Sequence, residues 1–360
     1  MQEAFAVAVE RWERDGPPHN PLAWIVATAR NRAIDRIRRE KVLQAKTALL
    51  ARLHELPADE EDEMEESTIP DERLGLMFAC CHPSLALDAQ VALTLRMLGG
   101  LTTTEIARAF LTPEPTIAQR LVRAKAKVRA AAIPLRVPPD HLLPDRLRAM
   151  LAVIYLVFNE GYGGRGDLAD EAIRLARLLA RLMPDEPEAI ALLALMLLHD
   201  SRREARRRDG EIVLLDDQDD SLWNRERIAE GKETLERALV HRRPGPYQLQ
   251  AAIASLQTDR PRDERQIALL YDRLLELMPT PVVALNRALA VAEVRGPEVG
   301  LALLDRIDLD SYQYLHSARA DLLRRLGRMA EAHDAYARAL ELAHDEPERR
   351  FLERRLAETS

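Results

Sequence analysis

Apolar positions recur at helical spacing along most of this chain, and the places where that spacing fails divide it. Phe5, Val7, Val9 and Trp12 lie on a first helical segment that Gly16, Pro17 and Pro18 interrupt. Asn20 followed by Pro21 reads as an N-cap with proline at the first helical position. The next helix is predicted to run to about Ala48, with Trp24, Ala27, Ala29, Ile34 and Ile37 on its apolar side. Residues 55–72 break the pattern: carboxylates dominate and little is left to bury, which predicts a flexible acidic linker. Helical spacing then returns. One helix is predicted from Leu85 to Leu98, ended by Gly99-Gly100. A short one starts at Thr103 or Thr104 and runs through Phe110, and a third runs from Pro113 to about Ala131. Pro134, Pro138, Pro139 and Pro144 predict a domain boundary after Ile133.

From Leu142 onward the pattern is helical throughout and repeats itself. Ala172, Ala176 and Leu179 precede Pro184 much as Ile267, Tyr271 and Leu274 precede Pro279. Gly327, Ala332, Tyr336, Ala339 and Leu340 give a clearer copy, with small and aromatic packing positions at tetratricopeptide-like spacing. One helix pair cannot bury its own apolar face, so such pairs are expected to stack. Residues 201–225 interrupt the repeats with a basic run, Ile212-Val213-Leu214-Leu215 and an acidic cluster; a surface insertion with a small hairpin is expected. The predicted fold class is all-α, divided into residues 1–48, an acidic linker 49–72, 73–133 and a repeat domain 134–360.

Composition narrows the function. Aromatics are only 4% of the 360 residues, and the abundance of Leu, Ala, Arg and Glu favours helix over strand. The net charge of −7 excludes a uniformly basic coat but not a local basic patch. The two cysteines, Cys80 and Cys81, are adjacent and fit a reducing cytoplasm; a helix-start segment with part-buried thiols is expected there. No second Cys/His cluster completes a metal site with His82, so no metal or cofactor is expected. No stretch reaches eighteen apolar residues, and no membrane partner is expected. His199, His241, His316, His333 and His344 form no nucleophile–base or metal-ligand spacing, which argues against an enzyme. Asp216, Asp217, Asp219 and Asp220 read as a solvated acidic loop rather than a cation site, and Phe158-Asn159-Glu160-Gly161-Tyr162 as a helix terminating at Gly161, Gly163 and Gly164.

The strongest chemical signal is a helix-turn-helix pattern over residues 104–124. Ile106, Ala107 and Phe110 would pack the first helix, with Ile117 and Leu121 facing back onto it. Thr116, Ala118, Gln119, Arg120, Val122 and Arg123 are then expected on the exposed face, with Lys125, Lys127 and Arg129 extending the charge. Gln and Arg on such a face read base edges in a major groove. Between Thr103 and Arg129, six basic side chains outnumber two acidic ones, which supplies salt-dependent phosphate affinity. Leu111 occupies a turn position usually filled by glycine.

A second basic helix precedes it, carrying Arg30, Asn31, Arg32, Arg36, Arg38 and Arg39. Alone this is an arginine-rich amphipathic helix. Followed by an acidic linker and a helix-turn-helix, it has the layout of a two-domain sigma factor. Gln2-Glu3-Ala4-Phe5, Trp24, Ala29-Arg30-Asn31, Ile34-Asp35 and Arg38-Arg39 resemble regions 2.2 to 2.4 of extracytoplasmic-function sigma factors. Residues 73–131 resemble their region 4. The stretch from Tyr155 to Tyr162 and the segment from His316 to Arg355 resemble the extension of the subgroup with a C-terminal tetratricopeptide-like domain.

The resemblance implies core RNA polymerase and promoter DNA as partners. It implies that Gln2, Glu3 and Phe5 contact core polymerase, and that Arg30, Asn31, Arg36, Arg38 and Arg39 contact and melt the −10 element. It implies that Thr116, Ala118, Gln119, Arg120, Arg123, Lys125 and Lys127 contact the −35 element. The repeat domain would modulate the sigma core or dock a protein partner. Family members carry helices before the Gln2-Glu3 position, so the chain is expected to lack part of that first domain. Two other classes fit parts of the pattern: a DNA-binding regulator using residues 73–131 alone, and a repeat scaffold for protein interaction.

Overall fold

The computed structural model describes residues 72–359, apart from 111, 163–165, 209 and 344–345. The −10 and core-contact candidates (Arg30, Asn31, Arg36, Arg38, Arg39, Gln2, Glu3, Phe5), the acidic linker and the Leu111 turn position lie outside the described residues. Among the described residues there are fifteen α-helices and a single two-stranded antiparallel hairpin, so the chain is all-α. They form two compact units, divided between Glu160 and Gly161.

The first unit holds α1 (Glu72–Cys80), α2 (Leu87–Met97), α3 (Thr103–Ala109), α4 (Glu114–Ala130) and most of α5 (Leu143–Tyr162). Leu74, Leu76, Met77 and Phe78 are all buried, because α1 is covered on more than one side. One side is the chain after α4: a Cβ on Gly75 would stand 2.6 Å from the Leu135 carbonyl oxygen, so only glycine admits that approach. Arg146 of α5 donates to the Phe78 carbonyl at 2.8 Å. The stretch after the predicted boundary at Ile133 is therefore packed within this unit, which extends to Glu160.

Cys80 ends α1 and Cys81 follows it in a turn, rather than beginning a helix, and both are buried rather than part-buried. Burial pushes the Cys81 thiol up to about 12, against a lowering contact with Thr94, and raises Cys80 as well. At neutral pH both are thiols, not thiolates, and so are poor nucleophiles and poor metal ligands.

The second unit begins with α6 (Gly166–Leu182) and α7 (Pro187–Asp200). Residues 189–198 of α7 are buried without a break, as expected of a helix apolar all round, and α6, α8 (Arg225–Val240) and α9 (Pro246–Leu256) pack against it. The expected insertion is a hairpin, β1 (Arg207–Arg208) and β2 (Glu211–Ile212), in which Arg207 pairs with Ile212 and Arg208 with Glu211. From α10 (Glu264–Leu277), each helix packs on the next through α11 (Pro281–Arg295), α12 (Pro297–Leu304), α13 (Gln313–Arg325), α14 (Met329–Leu342) and α15 (Glu346–Glu358). Local chemistry starts these helices: Asp263 accepts from the Gln266 N–H at 2.9 Å, and Thr280 from the Val283 N–H at 3.3 Å, ahead of Pro281. Ala332, Tyr336 and Ala339 are buried in one cluster with Ala320 and Leu322, the positions singled out by their spacing. The last helix, α15, reaches back to β2, where Arg354 meets Glu211 at 3.1 Å.

α5 ends at Tyr162, within the glycine cluster, as expected. Gly161, in its last turn, is buried, and a Cβ there would lie 2.2 Å from the Ala169 nitrogen, so the glycine also admits the close approach of α6 backbone.

Candidate nucleic-acid interface

α3 starts with a reciprocal cap. The Thr102 N–H donates to the Glu105 carboxylate at 2.6 Å, and the Glu105 N–H to the Thr102 hydroxyl at 3.1 Å. The helix thus starts at Thr103, as expected, with Thr102 as its cap. The Thr-x-x-Glu spacing at 102–105 is the sequence signal that locates it. Ile106 and Ala107 are buried, as expected, and Phe110 is half-buried.

α4 packs on both α2 and α3. Ile117, Leu121, Ala124 and Val128 are its buried residues, a single stripe of i, i+4, i+7 and i+11. With seventeen residues it is about 25 Å long, enough to lie across a major groove. Pro115 sits in its first turn, where the missing N–H removes no helical bond.

The opposite side of α4 is open. Thr116, Ala118, Gln119, Arg123, Lys125, Lys127 and Arg129 are all exposed, and Val122 is 67% exposed. Gln119 and Val122 stand nearly opposite the buried stripe. Over the helix, five basic residues (Arg120, Arg123, Lys125, Lys127, Arg129) face one carboxylate, Glu114.

Arg120 differs from its neighbours. It lies three residues after Ile117 and four before Ala124, so it borders the buried stripe. Its guanidinium reaches Asp88 of α2 at 3.2 Å, and its side chain is 30% exposed. Arg120 was expected on the exposed face; it is half-buried instead, because its side chain leans along the flank of α4 toward α2. Asp88 was not anticipated, because nothing in local spacing links residues 88 and 120.

Among the described residues, no group of three or more His, Cys, Asp or Glu is placed to hold a metal ion. The acidic loop takes arginines instead: Asp220 pairs with Arg260 at 3.0 Å and Asp216 with Arg262. Arg260 also lies over the buried Trp223 ring at 4.5 Å from its centre. Asp200, 1% exposed, pairs with Arg203 and Arg227, while Asp170 meets the same Arg203 at 2.8 Å. These are ion pairs joining α6, α7 and α8.

Comparison with known proteins adds three matched segments. Residues 1–42 match the family "Sigma-70 region 2". Residues 76–128, from α1 into α4, match "Sigma-70, region 4". Residues 146–239 match a family of unknown function, DUF6596. The chain is also similar to an uncharacterized protein of Rhizobium meliloti (strain 1021), at 44% identity over 372 aligned positions that cover 99% of this chain and 88% of the relative.

Proposed function

We propose that this chain, which belongs to the sigma-70 family, is an extracytoplasmic-function-type sigma factor with a helical-repeat unit appended to its region 4. Region 2 and region 4 occur in the order that promoter recognition requires. The observation that carries the reading is α4: a helix inside the region 4 segment with an apolar stripe on its neighbours and a basic, Gln- and Arg-bearing face to solvent.

In this mechanism core RNA polymerase is held in part through Gln2, Glu3 and Phe5. Arg30, Asn31, Arg36, Arg38 and Arg39 contact and open the −10 element, where capture of an unstacked base offsets part of the cost of unpairing. The −35 element lies against α4. Lys125 and Lys127 contribute phosphate attraction, and Thr116, Ala118, Gln119, Arg120 and Arg123 lie along base edges. No catalytic group, metal or cofactor is required, because polymerase supplies the chemistry. The protein works in the cytoplasm, where its polymerase is.

The second unit, with its tetratricopeptide-like packing of Ala332, Tyr336 and Ala339, docks a protein segment or modulates the sigma core in cis. The test of the main reading is co-elution of the chain with bacterial core RNA polymerase, followed by promoter-dependent transcription. Binding and specific initiation support it; a chain that never associates with core polymerase removes it. Cutting after Glu160 rather than after Ile133 keeps Arg146 on Phe78 and tests the second unit separately. Unchanged transcription in that variant would remove the modulatory role.

A further inference from the structure

Four observations on the first unit converge on Asp88. It sits in the first turn of α2, where the helix dipole favours a carboxylate. Ala86, at the N-cap, makes no side-chain bond to that helix start. Its side chain is 70% exposed and lies beside α4. Its ion pair, at 3.2 Å, is with Arg120, the one basic residue of α4 that is half-buried rather than exposed.

An exposed ion pair of this kind adds little to stability. Its effect on geometry is larger. A free arginine on a DNA-facing helix sweeps a wide volume and settles on whichever phosphate it meets. A guanidinium held at one nitrogen by a carboxylate keeps its plane fixed, with its remaining donors directed past the anchor. Base reading depends on that plane, because a guanine edge is met by two parallel N–H groups. The carboxylate also repels the phosphate backbone, and so disfavours complexes in which α4 lies in the wrong register.

We propose that Asp88 is a positioning and specificity-determining residue: through its ion pair it orients Arg120 to read a base, and by its charge it weakens binding to unrelated DNA. This rests on the reading of α4 as the −35 helix. It assigns a role to a residue on α2, outside the helix-turn-helix.

The test uses the full chain and a pool of duplexes randomised over a −35-length window. The chains compared are wild type, Asp88→Asn, Arg120→Ala, Arg120→Lys and the Asp88→Asn/Arg120→Ala pair, each confirmed folded by its melting curve. Asp88→Asn is expected to lower the ratio of preferred to random binding about tenfold at one base position, the scale of one bidentate contact. The same change raises affinity for random duplex about threefold, because a negative charge near phosphate is gone. In the Arg120→Ala background, Asp88→Asn should lower the ratio only about threefold, through the gain in random-duplex affinity alone, and Arg120→Lys should not restore it. An unchanged ratio in Asp88→Asn, or an equal loss with and without Arg120, overturns the proposal while leaving α4 as a reader. A wild-type chain that enriches no sequence removes the α4 reading itself, and the inference with it.

Discussion

The carboxylate of Glu188, on α7, accepts the backbone N–H of Tyr247 at 2.9 Å and that of Gln248 at 3.1 Å. α9 has no capping side chain of its own: Gly245 stands at its N-cap position, followed by Pro246. A buried helix start leaves amide donors that need acceptors, and here a neighbouring helix supplies them. The space for that carboxylate exists because residue 245 lacks a side chain; a Cβ there would lie 2.3 Å from the Glu188 carboxyl carbon.

Glu188→Ala should therefore cost about 1–2 kcal/mol, the scale of a lost N-cap together with a buried donor left unpaired. Gly245→Ala should cost a similar amount by displacing the same carboxylate. The two changes combined should cost much less than their sum, because each removes one interaction. Urea unfolding of the four chains measures this. Full additivity would show that Gly245 and Glu188 act separately.

A pH prediction comes from His199. Burial first, then the nearby Arg202 and Arg206, hold its ring down to about 3 from an ordinary value of 6.5. The folded protein keeps the ring neutral while the unfolded chain protonates it. Unfolding then takes up a proton, so stability falls as pH drops below about 6.5 and stops falling near the folded value. The loss from this group is of order 1 kcal/mol per pH unit. His199→Gln should flatten the pH dependence of the urea midpoint between pH 7 and pH 5 relative to wild type. Parallel profiles for the two chains would show that His199 is not the responsive group.

On α4 the outward residues should divide by role. Arg123→Ala should cost about 1–3 kcal/mol against its preferred duplex and relax discrimination at one base position. Lys127→Ala should weaken all duplexes alike and reduce the salt slope by about one unit. Val122, apolar and outward, should contribute through a thymine methyl, so Val122→Ser should weaken binding to thymine but not to uracil at the contacted position. Equal losses on both bases would place Val122 away from the groove.

Gly161→Ala should be among the most damaging small substitutions. The atom that its Cβ would meet is backbone nitrogen at 2.2 Å, which cannot swing aside as a side chain can. A loss of about 1–3 kcal/mol is expected, or failure to fold if α6 cannot shift. A melting temperature within a degree or two of wild type would show that the helices separate freely there.

These residues also mark what sequence can reveal. Ile106, Ile117 and Leu121 were legible because a helical stripe is a local pattern, and it places α3 against α4 without further information. The repeat positions Ala332, Tyr336 and Ala339 were legible for the same reason. Gly161 was legible as marking the end of α5, but its close approach to a neighbouring backbone was not, because that depends on where Ala169 is placed. Cys80 and Cys81 were misread because thiols are weak hydropathy markers and their burial depends on what covers α1. Asp88 and Glu188 were missed because their partners, Arg120 and Tyr247, are distant in the chain, and no spacing rule spans that separation.

The return of α15 to β2 changes how the second unit should lose its structure. In an open row of stacked helices, the terminal helix has one neighbour and frays first, with little effect on the others. Here the terminal helix has two: α14 before it, and the hairpin held at Arg354 and Glu211. Detaching it frees an insertion more than a hundred residues upstream as well as the helix itself. Hydrogen exchange at Glu211 and Ile212 would then report on events at the far C-terminus, and protection there would be gained or lost together with that of α15.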